Sequence, residues 1–153
     1  VHGLHAILET IRRIFKQKPI GLFVMKGDKE IDMVGAAIKN QFEQLLISGA
    51  PEWGLLSGSQ LSKKLSDVGL KGFEVIEPFE KALDRITKIA KTTNRPTLIF
   101  GSHYVAESIF NYFEINFAIN FFIAFGICLA ISYLIKANEV EDLSQAVEDF
   151  EKK

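Results

Sequence analysis

The run Leu98-Ile99-Phe100, closed by Gly101 and Ser102, constrains the fold more than any other stretch of the chain. It is short, wholly apolar and ended by turn residues, as expected of a strand covered on both faces. From His103 the spacing changes. Val105 and Ile109, with the ring of Tyr104 or Phe110, fall near one face of a helix, and Glu107 and Ser108 fall away from it. Strand, tight Gly-Ser turn and helix make the repeating unit of an α/β sheet. The turn lies at the carboxyl end of its strand, where such sheets place ligands.

The same unit recurs upstream. Ile20 to Met25 is a further short apolar run, and Gln44 to Ser48, with Leu45, Leu46 and Ile47, and Phe73 to Ile76 are further strand candidates. Between them lie stretches of helical period. Val1 to Gln17 reads as a lead-in and a helix, with Ala6, Ile7, Ile11, Ile14 and Phe15 inward, Arg12, Arg13, Lys16 and Lys18 wet, and Pro19 as the stop. Ile31, Val34, Ile38 and Phe42 open a second helix, which blends into the Gln44 run. Ser57 or Ser59 caps a third, in which Leu61, Leu65, Val68 and Leu70 follow the helical period and Gly69 is the stop. Pro78 starts a fourth, with the stripe Phe79, Ala82, Leu83, Ile86, Ile89 and Ala90. Trp53 to Leu56 fits neither pattern. The alternation predicts an α/β fold with a mostly parallel sheet, helices on both faces and right-handed crossovers, Rossmann-like in type. The first helix has no strand before it. A strand upstream of Val1 is the natural expectation, and a first residue other than Met suggests a fragment.

The bulk numbers narrow the function. The 153 residues make one domain's worth of sequence, and the net charge of −1 gives no general nucleic-acid footprint. The one cysteine, Cys128, permits neither a disulfide framework nor a thiolate metal site within the chain. The polar, basic start carries no signal-peptide pattern, so the expected location is cytoplasmic.

The uncharged run 115–135, bracketed by Glu114 and Lys136, is different material. It is long enough for a single membrane span. It also reads as a buried strand pair or core helix, since Ile115, Phe117, Ile119 and Phe121 alternate; a frameshifted tail is a third reading. Membrane association follows only from the first. Residues 137–153 form an acidic amphipathic helix, either solvated surface or a partner-binding element. The expected domains are therefore 1–113, 114–136 and 137–153.

Candidate chemistry collects at the carboxyl ends of the strands. Asp28, Lys29 and Glu30 follow the first apolar run; a lysine there can meet phosphate or carboxylate, an acid ribose or a metal ion. Ser102 and His103 follow the last, and His103 at a helix start can meet an anion. His2 and His5 are too poorly placed to hold a metal alone. No catalytic residue is assigned. Neither a Gly-x-x-x-x-Gly-Lys-Ser/Thr loop nor a dinucleotide fingerprint occurs, so the chain cannot be a complete P-loop enzyme.

Three segments in order carry a family resemblance. Val1-His2-Gly3-Leu4-His5-Ala6 resembles the second half of an Asp-Gly-Ala-His-Asn-Pro segment, with His2 in the histidine place. Phe23-Val24-Met25-Lys26-Gly27-Asp28-Lys29-Glu30 resembles a strand ending in an Asp-Lys-Asp turn, and Phe100-Gly101-Ser102-His103-Tyr104-Val105-Ala106-Glu107 a closing Gly-Ser turn. Together they resemble the carboxyl-terminal domain of folylpolyglutamate synthase / dihydrofolate synthase, in the Mur ligase superfamily, over Val1 to Phe113. A Pro-Arg-Ala segment of that family has only Ala50-Pro51-Glu52 here, without the arginine. The resemblance implies a ligase that joins glutamate to a folate carboxylate, using ATP and Mg2+ through an acyl phosphate. Its central ATPase domain, absent here, would bring the P-loop and most magnesium ligands, while this domain would close over the active site and contribute nucleotide and glutamate contacts. By the same resemblance His2 would lie near ATP and glutamate, Asp28 and Lys29 on the site rim, and Ser102 at the glutamate end. A peptidoglycan-type Mur ligase domain is the near neighbour; a non-catalytic α/β binding or scaffold domain with a decayed ligand site, membrane-tethered if 115–135 is a span, is the alternative.

Overall fold

The computed structural model describes residues 2–27 and 30–114, the side chain of His2 excepted. Val1, Asp28, Lys29, the run 115–135 and the acidic tail 137–153 lie outside the described residues. Helix and strand alternate as expected: α1 (His2–Phe15), β1 (Ile20–Phe23), α2 (Ile31–Ile38), β2 (Gln44–Ile47), α3 (Gly58–Asp67), β3 (Phe73–Val75), α4 (Phe79–Thr93), β4 (Thr97–Phe100) and α5 (Ala106–Tyr112).

The sheet is parallel throughout the described residues, in the order β3-β2-β1-β4. Leu22 on β1 pairs with Leu46 on β2 and Ile99 on β4. Pleating sends alternate residues to opposite faces, and two cores result. Ile20, Leu22, Leu46 and Ile99 join Phe79, Leu83, Ile86 and Ile109, so α4 and α5 cover one face. Phe23, Leu45, Ile47, Leu98 and Phe100 join Leu8, Ile11, Ile38, Leu61 and Leu65, so α1, α2 and α3 cover the other. The Phe100 ring packs on Phe23 and Phe42, with centroids 4.9 and 5.1 Å away.

Handedness explains the split. From β1 the chain moves outward to β2 and then β3, with α2 and α3 on one face. It then returns across the sheet to β4, beyond β1. A right-handed crossover in the reverse direction must use the opposite face, and α4 does.

Local chemistry sets the ends. Ser57 Oγ accepts from the Gln60 amide at 3.2 Å while Gln60 Oε1 accepts from the Ser57 amide at 2.9 Å, a complete capping box. Asn94 takes the left-handed conformation that ends α4. Five details differ from the sequence expectation. On α1, Ala6 and Ile14 are exposed rather than inward, and Leu8 buries with Ile11, because the buried stripe follows Leu8, Ile11 and Phe15. Pro78 is the residue before α4 rather than its first turn. Helix α3 stops at Asp67, so Val68 and Leu70 belong to the following turn, although Leu70 still buries. Residues Pro51–Trp53 form a 3₁₀ turn, and so do His103–Val105, which delays α5 to Ala106. Tyr104 therefore leaves the inward face and is 49% exposed, while Val105 and Ile109 bury. Among the described residues no helix is long and apolar enough to cross a membrane.

Tyr112 Oη donates to Asp84 Oδ1 at 2.6 Å and ties α5 to α4. Burial, and then this bond, push the phenol above its ordinary 10.0. A raised phenol favours the neutral form in the folded state. Its contribution to stability is present below the unfolded value and is lost as pH rises through the folded one.

Two variants test these features. Ser57→Ala should lower stability by about 1 kcal/mol in urea melts, the usual cost of a lost cap. In an ultraviolet titration of phenolate absorbance, the parent should show a step above pH 10 that Tyr112→Phe lacks.

Candidate functional site

Strands β1 and β4 are neighbours, yet their connections leave in opposite directions. The loop after β1 leads to α2 on one face, and the turn after β4 leads to α5 on the other. Diverging connections leave a crevice outside the carboxyl ends of the two strands, the switch point where open α/β sheets bind ligands. At its base the two connections touch. The Val24 amide donates to Phe100 O at 3.2 Å. Gly101 follows with φ of 113°, and a Cβ there would overlap the Val24 carbonyl oxygen and the Phe23 ring. Only glycine permits both the conformation and the approach.

The other half of the carboxyl edge is closed. Ser48 Oγ, fully buried, donates to Ile76 O at 2.7 Å. The Glu77 carboxylate accepts from the Gly58 amide at 2.6 Å, at the start of α3. Gly49 lies against both, and a side chain there would run into Ser57, Gly58 and Glu77. The loops after β2 and β3 are thus sewn to α3. The open crevice belongs to β1 and β4.

The candidate residues distribute as follows. Ser102 caps the 3₁₀ turn, its Oγ accepting from the Tyr104 amide at 3.4 Å. Its hydroxyl hydrogen stays available to an incoming acceptor. His103 is exposed, and its ring lies on Tyr104 with centroids 4.4 Å apart and planes 34° apart. The backbone of residue 2 begins α1, whose last turn is tied to the opposite edge by the Arg12 to Gln41 hydrogen bond. Fourteen residues at ~1.5 Å each carry that start back toward the carboxyl edge. The His2 side chain, Asp28 and Lys29 are outside the described residues, so the geometry tests none of them; Gly27 and Glu30 flank the last two at the end of β1.

A shallow depression of about 290 Å³ adjoins the crevice, lined by Trp53, Tyr104, Glu107, Ser108 and Asn111. Sequence reading missed it. Four of its residues recur at helical spacing, a signal that was available; Trp53 comes from the distant loop after β2 and was not. Trp53 stands edge-on to Phe79 at 6.0 Å and 86°.

The rim is acidic. Glu30, Asp32, Glu52, Glu77, Glu80 and Glu107 are exposed at the starts of helices or in the loops beside them. Acids there complement the helix dipoles, but they do not make a phosphate cradle. Glu52 stands where the resemblance expects an arginine. No group of three or more His, Cys, Asp or Glu suited to a metal ion occurs among the described residues.

No protein-family model and no curated protein matches the chain. Among solved structures, the chain is similar to the crystal structure of Helicobacter pylori folylpolyglutamate synthetase, with a TM-score of 0.52 and 24% identity. The likeness covers 74% of this chain and 26% of that one, about a quarter of its length. It shows a shared α/β fold.

Gly101→Ala should cost about 3 kcal/mol or more, because strain at positive φ adds to overlap with the Val24 carbonyl. A thermal melt measures it. A fall of only a few tenths would mean that the β1 and β4 connections do not meet as described.

Proposed function

We propose that this chain is the carboxyl-terminal domain of an ATP-dependent folate:glutamate ligase of the folylpolyglutamate synthase kind. In this reading it contributes glutamate contacts and closes over a central ATPase domain that the 153 residues do not include. The supporting observation is that β1 and β4 are adjacent, so that Lys26 and Gly27, which follow β1, and Gly101 to His103, which follow β4, leave the sheet at one switch point. The fold likeness to the Helicobacter pylori synthetase supports it.

The chemistry assigns this domain a limited part. ATP and Mg2+, held by the central domain, would supply the acyl phosphate. This chain's residues orient the incoming amino acid and exclude water, which would otherwise hydrolyse the activated carboxyl group. Ser102 can donate its free hydroxyl hydrogen to a glutamate carboxylate, and the exposed imidazole of His103 stands next to it. Lys29 would add a positive charge from the facing loop. His2 and Asp28 complete the set by the resemblance alone.

The second reading is a non-catalytic α/β binding or scaffold domain. The acidic rim, with Glu52 in place of an arginine, favours it.

Glutamate titrated into amide-resolved spectra of the chain separates the two. The ligase reading expects shifts at 26–30 and 101–104 at millimolar glutamate, reduced in Ser102→Ala. The scaffold reading expects none. Either way the chain alone should turn over no ATP, since it carries no triphosphate loop; measured turnover would remove both readings.

A further inference from the structure

The amino edge of the sheet, opposite the crevice, has its own electrostatic character. Three connections meet there: 16–19 entering β1, 39–43 entering β2 and 94–96 entering β4. Backbone bonds stitch them, Glu43 N to Pro19 O at 2.9 Å and Ile20 N to Pro96 O at 2.8 Å. Arg95 adds a bond to Lys18 O at 3.3 Å and an ion pair with Glu43 at 3.6 Å. Arg12, Arg13, Lys16, Lys18, Lys39 and Arg95 lie in these connections or in the helix end that enters them, with Glu43 the single carboxylate in the three. Helix dipoles account for Arg12 and Arg13, which occupy the last turn of α1. They do not account for Lys16, Lys18 or Arg95, which lie beyond helix ends.

We infer that this edge is a docking surface for an anionic phospholipid membrane. A further observation favours lipid over the other polyanion, nucleic acid. Ile14 is 59% exposed between Arg13 and Lys16, and the neighbouring Phe15 is half-buried. An apolar side chain among cations suits the boundary between headgroups and acyl chains and gains nothing against a sugar-phosphate backbone. Clustered cations around an exposed apolar side chain are the usual pattern of attachment to anionic lipid, each cation adding to the attraction within a Debye length. The surface lies across the sheet from the crevice, so the inference stands or falls independently of the ligase reading.

Vesicle co-sedimentation of the full chain tests it, with phosphatidylcholine alone and with phosphatidylcholine mixed with phosphatidylglycerol. The mixed vesicles should bind about tenfold tighter or more, and the difference should shrink as salt rises. The triple variant Arg13→Glu, Lys16→Glu, Lys18→Glu alters exposed side chains, and its fold is checked by circular dichroism. It should lose the preference for anionic lipid. Ile14→Ser, which leaves the charge alone, should weaken binding to the mixed vesicles several-fold. Equal binding to both vesicle types, or an unchanged preference in the triple variant, would overturn the inference. So would duplex DNA that binds through the same cations while Ile14→Ser changes nothing.

Discussion

The fold depends on the burial of β1 between two neighbours and two helical layers. Ile20, Leu22 and Phe23 are each no more than 1% exposed, and every residue of the strand pairs on both sides. A parallel strand so enclosed leaves its connections no room inside, so they must emerge at the sheet's edges. Because β2 and β4 flank it, the chain has to wind outward on one face and return on the other. The crevice is the geometric remainder of that return. Nothing local to Ser102 or His103 creates it.

Much of this was legible in the sequence. The alternation of elements, both inward faces of the strands and the Gly-Ser turn follow from periodicity, since each depends on residues a few positions apart. The order β3-β2-β1-β4 was not, because periodicity does not say which strand the last one joins. Nor were the contacts of Glu77 with Gly58, Tyr112 with Asp84 and Gly101 with Val24, which unite distant parts of the chain. The 3₁₀ start at His103 also escaped, because Tyr104 has the period of an inward residue and is turned out only by the tighter winding. Of the candidate site residues, Ser102 and His103 were placed correctly at a strand end. The division of that edge into an open and a closed half could come only from three dimensions.

The two edges of the sheet carry opposite charge, and the helix dipoles account for part of it. Asp32, Glu80 and Glu107 sit in first turns, and Arg12, Arg13, Lys64 and Lys91 in last turns, where each lowers the energy of the aligned peptide dipoles. The chain's near-zero net charge therefore conceals a polar molecule. The described rim carboxylates repel an anion at the crevice, and short-range contacts there come from donors such as Ser102.

Trp53 adds a consequence of a different kind. It is the chain's only tryptophan, and it sits at the border of the open half, edge-on to Phe79. Its indole emission consequently has a single source and a known address. The colour of that light reports how wet this rim is, and anything that settles over the rim, whether a small molecule or a neighbouring domain, announces itself without any added dye.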